Sequence, residues 1–156
     1  MKRYHYLPQV HLGAAFGLAV PMAFAAQTES LPRQAWLLYV ATLVWTVAYD
    51  TMYSMVDRED DLKIGAKSSA ILFGEFDRAM VGLFQSLFIL TLWLMGQELE
   101  FSGIYFYALG VAAVFLGYEQ LMIMYREPDD CFAAFQHNHW VGAIVFGGII
   151  GHYYLA

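Results

Sequence analysis

From Tyr4 to Thr28 the chain carries no Asp, Glu, Lys or Arg, and the same is true from Ala79 to Gln97, Phe101 to Tyr118 and Cys131 to Ala156. A helix of about 20 residues crosses roughly 30 Å of hydrocarbon, and each run is near that length. Lipid offers backbone N–H and C=O groups no partners, so a helix that satisfies its own is the natural spanning element. The chain therefore reads as an all-α, polytopic membrane bundle. Composition agrees: 60% of residues are hydrophobic and 14% charged. Soluble domains carry roughly 25% charged residues because their surfaces face water.

The pattern defines spans at roughly 8–26, 35–56, 79–97, 102–125 and 136–155, five in all. Lys2 and Arg3 before an apolar run, with Ala23-Phe24-Ala25 after it, also resemble a secretory signal. Further spans follow, however, and His11 and Pro21 interrupt the run. Glu29-Ser30-Leu31-Pro32 and Gln97 to Gly103 read as short turns, and Pro128-Asp129-Asp130 as a turn with a helix cap at Asp129 or Asp130. The long polar connection is Asp57 to Arg78.

With alternating crossings, Lys2, Arg3, Arg58, Lys63, Lys67, Arg78 and Arg126 fall on one side and only Arg33 on the other. Basic residues accumulate on the cytoplasmic side, so the N-terminus and the Asp57–Arg78 loop are expected there. Cys131 is the single cysteine, which excludes an internal disulfide and reads as a small buried hydrophobe. A net charge of −6 argues against a nucleic-acid partner.

The most informative segment is Tyr49-Asp50-Thr51-Met52-Tyr53-Ser54-Met55-Val56-Asp57-Arg58-Glu59-Asp60-Asp61-Leu62-Lys63-Ile64-Gly65. At about 100° per residue, a helix continuing from the second span places Asp50, Asp57 and Asp61 in one stripe, Asp57 about 20° to one side of Asp50 and Asp61 about 20° to the other, with Glu59 and Asp60 pointing elsewhere. Carboxylates stacked near membrane depth repel one another unless they share a cation, and acids in spans are usually functional. Mg²⁺ suits such oxygen donors and typically bridges one or two carboxylates to substrate phosphates. Lys63, with Arg58 and Lys67, supplies cations for phosphate oxygens. A loop rich in Asp, Arg and Lys is also, commonly, just a solvated loop, and spacing alone leaves both readings open.

The string from Tyr49 through Ala66-Lys67-Ser68-Ser69-Ala70 resembles the second aspartate-rich motif of the UbiA-type 4-hydroxybenzoate polyprenyltransferases. Met1-Lys2-Arg3-Tyr4, Leu7-Pro8-Gln9 and Leu12-Gly13-Ala14-Ala15-Phe16-Gly17 resemble that family's fifth span and the segment before it. The resemblance covers residues 1–156 as the C-terminal portion of the family's domain. It implies transfer of a polyprenyl group from a polyprenyl diphosphate to the ring of 4-hydroxybenzoate in ubiquinone biosynthesis, with Mg²⁺ as cofactor, in a bacterial inner membrane. By the same resemblance the catalytic residues are Asp57, Asp61 and Asp50, with Asp57 and Asp61 as metal ligands. Lys63 falls at the motif's lysine, on the diphosphate. Arg3 matches the arginine that holds the acceptor's carboxylate, through two parallel hydrogen bonds.

The family's first motif, an Asn-Asp-x-x-Asp-x-x-x-Asp string, has no counterpart here, and Glu29 is the only acid before Asp50. The expectation is that this chain alone does not transfer prenyl groups and that a separate N-terminal half would be its partner. Three alternatives stand beside this: a non-catalytic remnant or assembly partner, a family member with another aromatic acceptor, and a small transporter. Acids gathered at one end rather than at the midplane disfavour the last. His137 and His139, at i and i+2, do not share a helix face and have no acid expected beside them, so they read as packing, not as a metal site. Glu119 reads as an acid paired within the bundle or reaching the interface.

Overall fold

The computed structural model describes residues 8–155. Its helices are α1 (Pro8–Gly17), α2 (Ala19–Thr28), α3 (Arg33–Val56), α4 (Arg58–Lys63), α5 (Ser69–Phe73), α6 (Asp77–Glu98), α7 (Gly103–Met122) and α8 (Pro128–Leu155). Single 3-10 turns lie at Gly74–Phe76 and Ile123–Tyr125. There is no strand among the described residues.

Each expected span corresponds to helix, with informative differences. The first is broken at Leu18 into α1 and α2. The cause is Pro21: its ring opposes the carbonyl four residues earlier, at Gly17, and it has no N–H to bond that carbonyl. Among the described residues, three segments are long and apolar enough to cross a membrane: Gln9–Thr28, Ser69–Glu98 and Gly103–Tyr125. α3 and α8 have the length, at 24 and 28 residues, but carry more polar side chains. Those include Thr42, Thr46 and Asp50 in the former and Gln136, His137 and Asn138 in the latter. Threonines and serines within the spans return their hydroxyls to the carbonyl four residues back, as Thr42 does to Leu38 at 2.9 Å and Thr46 to Thr42 at 2.8 Å. The last helix starts at Pro128, where a missing N–H costs nothing. Asp129 and Asp130 lie inside its first turn, so neither caps it. The polar connection from 57 to 78 is largely structured, as α4, α5 and a 3-10 turn.

α3 is the hub. It packs most extensively on α6 and also against α1 and α8, while α7 pairs with α8. Its contact residues are small or slender: Ala35, Ala41, Val47 and Ala48 are essentially fully buried. One apolar core lies toward the Arg33 end of α3, around Phe88, Leu92, Tyr105, Leu109 and Val141. A second lies toward its Val56 end, around Met52, Met55, Val81, Ile123 and Cys131.

Close approach of α7 and α8 depends on glycine. A Cβ added to Gly148 would stand 2.6 Å from the Ala108 Cβ, which has no rotamer by which to retreat. Gly148→Ala should therefore destabilise the bundle by about 1–3 kcal/mol. At Gly147 a Cβ meets nothing within 4 Å, and Gly147→Ala should be neutral or slightly stabilising. Unfolding of both variants in mixed micelles checks the contrast.

Candidate functional site

The acidic segment sits where α3 gives way to α4. Val56 ends α3, and Asp57 occupies the junction with φ −82° and ψ −2°. The i to i−4 hydrogen bonds persist through the bend: Asp57 N–H reaches Tyr53 O at 3.4 Å and Asp61 N–H reaches Asp57 O at 2.8 Å. The expected continuous helix is therefore bent at the very residue that carries the second acid.

Burial sorts the acids as the helical register does. Asp50 and Asp57 are partly buried and Asp61 is 5% exposed, whereas Glu59 and Asp60 face outward. Asp50, Asp57 and Asp61 also each engage neighbouring groups. α5 is held beneath α3 by a hydroxyl chain. Thr51 and Ser69 lie 3.0 Å apart, the Ser69 hydroxyl donates to Ser54 at 3.4 Å, and Gln9 of α1 donates to Ser54 at 2.7 Å. Ser68 caps α5 by accepting from Ile71 N–H. Beside Asp50, Tyr49 and Tyr53 meet Phe135 with ring centroids 5.9 and 5.2 Å apart, and Tyr53 meets Phe132 at 6.4 Å. These rings make an aromatic wall between α3 and α8.

The basic residues divide differently from expectation. Lys63 lies on the surface and donates to Asp60 at 3.0 Å. That hydrogen bond raises its pKa above the usual lysine value. Arg58 does not face the acid stripe; it donates to Asp77 at 3.2 Å. Arg3 lies outside the described residues.

Sequence reasoning missed Asp77. Its side chain is fully buried at the first turn of α6 and receives Arg58 from one side and Arg126 from the other. Arg126 Nη2 donates to Asp77 Oδ1 at 2.8 Å and Nε donates to Oδ2 at 3.1 Å, a two-pronged contact. The same guanidinium reaches Glu75 O at 2.8 Å. The bond to Asp77 raises the Arg126 pKa still further above its ordinary value. This clasp ties the acidic segment to the corner between α7 and α8. The one local signal was an acid opening an uncharged helical run, where it complements the positive helix end.

A second polar cluster lies within the bundle. Glu119 of α7 is fully buried, accepts from Gln85 of α6 at 3.0 Å and lies 3.1 Å from Nδ1 of His137 of α8. Gln120 donates to Gln85 at 2.9 Å. Glu119 thus does pair within the bundle, and His137 does have an acid beside it. Trp45 donates to Asn138 at 2.9 Å, tying α3 to α8. Every oxygen of the Glu119 carboxylate is engaged, which makes the cluster interhelical glue.

Asp57 and Asp61 offer hard oxygen donors one helical turn apart at a partly shielded bend, a donor set that fits Mg²⁺. Among the described residues, no three His, Cys, Asp or Glu side chains gather as a metal-holding group. Two carboxylates alone would leave the oxygen shell of such an ion to be completed by other donors.

Comparison with known proteins fits this geometry. The model of the UbiA prenyltransferase family matches residues 1–150. The 4-hydroxybenzoate octaprenyltransferase of Hahella chejuensis is 57% identical over 150 residues, which cover 96% of this chain and 50% of that protein. The protein of the same name from Nitrosococcus oceani is 55% identical, covering 100% of this chain and 55% of its own length. The chain thus spans about half the length of the curated relatives it matches. The apo structure of a UbiA homolog from Aeropyrum pernix K1 superimposes with a TM-score of 0.78 at 24% identity, over 96% of this chain and 56% of that one. That likeness shows the shared helical fold. With three apolar spanning segments and a family match across nearly its whole length, the chain is an integral membrane protein and belongs to the UbiA prenyltransferase family.

Proposed function

We propose that this chain supplies the diphosphate-binding half of a site that transfers a polyprenyl group to the ring of 4-hydroxybenzoate, as in ubiquinone biosynthesis. The observation that carries the proposal is the sorting of acids at the α3–α4 bend. Asp61 is buried and Asp50 and Asp57 are partly buried, each engaged with neighbouring groups, while Glu59 and Asp60 are exposed; acids gathered on one side at the end of a span are usually functional.

Asp57 and Asp61 would hold Mg²⁺, which when bound supplies positive charge to a departing diphosphate. The shielded position of Asp61 strengthens its pull on any cation, because less water screens it. Asp50, deeper along α3, adds negative charge where an electron-poor allylic carbon would lie. Tyr49, Tyr53, Phe132 and Phe135 form an apolar, π-rich wall that keeps water from that carbon. Lys63 reaches a diphosphate oxygen only by leaving Asp60. Arg3 is assigned to the acceptor's carboxylate. The N-terminus and the acidic bend are assigned to the cytoplasmic face of a bacterial inner membrane, following the bias of basic residues.

With only two carboxylates plus Asp50, the half-site calls for acids from a separate N-terminal half. The test is prenylation of 4-hydroxybenzoate by membranes containing this chain alone, the N-terminal half of the Hahella chejuensis relative alone, or both. Product is expected from the pair only. Product from this chain alone would overturn the half-site reading, and none from a pair shown to co-purify would favour a non-catalytic remnant.

A further inference from the structure

α6, α7 and the corner after α7 enclose a groove of about 890 Å³ that reaches inward as far as Gln85 and Leu116. Its mouth carries Arg78, Arg126 and Glu75, its middle Gln85 and Gln120, and its deep end Leu90 and Trp93. It lies outside the acid stripe and none of the residues assigned to transfer lines it. Arg126 is already committed to Asp77. Arg78 is not: its Nε is buried and has no hydrogen-bond partner among the described residues. The charged residues that line the groove are Arg78 and Arg126 against Glu75, two cations and one acid, a surplus of one positive charge at its mouth.

We infer that the α6–α7 groove binds one anionic phospholipid, with its phosphate on Arg78, its ester region beside Gln85 and Gln120, and an acyl chain along Leu90, Trp93 and Gly117. The spacing suits this. Gln85 lies two helical turns below Arg78, about 10 Å along the axis, and Trp93 about 12 Å further. Basic pockets between helices at the membrane edge are known to favour anionic headgroups. The charge balance selects a phosphodiester over a prenyl diphosphate. One surplus cation neutralises one negative charge, and the groove holds no carboxylate pair to bring a divalent ion to a diphosphate. Glu75 would repel the remainder.

Native mass spectrometry of the purified chain, titrated with dioleoylphosphatidylglycerol or dioleoylphosphatidylcholine, tests the inference. The parent should keep a single phosphatidylglycerol at concentrations where phosphatidylcholine is lost. Arg78→Gln should weaken that adduct about fivefold, the factor expected for one cation near an anionic headgroup. Gly117→Leu tests the tail path without touching charge. A Cβ at Gly117 meets nothing within 4 Å, so the larger side chain enters the groove without disturbing the helices, and the adduct should vanish while helix content holds. Arg33→Gln, at the opposite end, should change nothing. Equal retention of both lipids, or parent-like phosphatidylglycerol binding by both groove variants, would overturn the assignment. So would one-for-one displacement of the lipid by farnesyl diphosphate.

Discussion

Asp57→Asn and Asp61→Asn should each lower prenyl transfer by about 10²–10³-fold in membranes where this chain is paired with an N-terminal half. That is the usual loss when one preorganised charge that stabilises a transition state is removed. Amide oxygens keep the shape but not the charge, so neither variant holds a divalent ion well. Because the two side chains occupy successive turns of one bend, the double variant should be little worse than either single one, as for groups that act as a unit. Glu59→Gln is the control, since Glu59 faces outward between the two acids. Raising Mg²⁺ should partly restore the single variants and leave the control unmoved. Activity of both single variants within about threefold of the parent would remove the metal role from this segment.

Loss of the Asp77 carboxylate should be the most destabilising change in the polar end of the protein. Asp77→Ala strands two guanidiniums that now converge on a buried acid. Removing one partner of a buried ion pair costs about 3–5 kcal/mol. The arginines here keep 29% and 35% of their side-chain surface exposed, so water recovers part of that and about 3 kcal/mol is expected. Asp77→Asn, which keeps an acceptor, should lose less. Unfolding in mixed micelles measures both, and proteolysis within residues 57–76 should accelerate in Asp77→Ala before the spans are cut. A loss under about 1 kcal/mol would show that the clasp is incidental to stability.

The helical plan was legible because it rests on a local property: an uncharged run long enough to cross lipid needs no knowledge of its neighbours. The inward turn of Asp50, Asp57 and Asp61 and the outward turn of Glu59 and Asp60 were also legible, since register alone sorts them. What escaped were contacts between distant residues. Arg58 and Arg126 read from the sequence as orientation signals, Arg58 also as a cation for phosphate oxygens, yet both converge on Asp77 from 19 and 49 residues away. His137 was read as lacking an acid because Glu119 lies 18 positions back, on another helix. Lys63 has a partner three residues away in Asp60, a spacing that was visible but outweighed by the motif. The break at Leu18 follows from Pro21, which in the sequence marks an interruption of the apolar run without fixing where the helix parts.

The wide sequence separation of the Asp77 clasp bears on how the chain is made. Synthesis runs from the N-terminus, and segments settle in that order. When α6 has just left the ribosome, Asp77 has met only Arg58, and the guanidinium that completes its neutralisation is still unmade. The clasp on the acidic bend is therefore completed only once the corner after α7 has emerged. A nascent chain arrested before Arg126 would hold Asp57 and Asp61 on a segment secured only by Arg58 and the hydroxyl chain beneath α3.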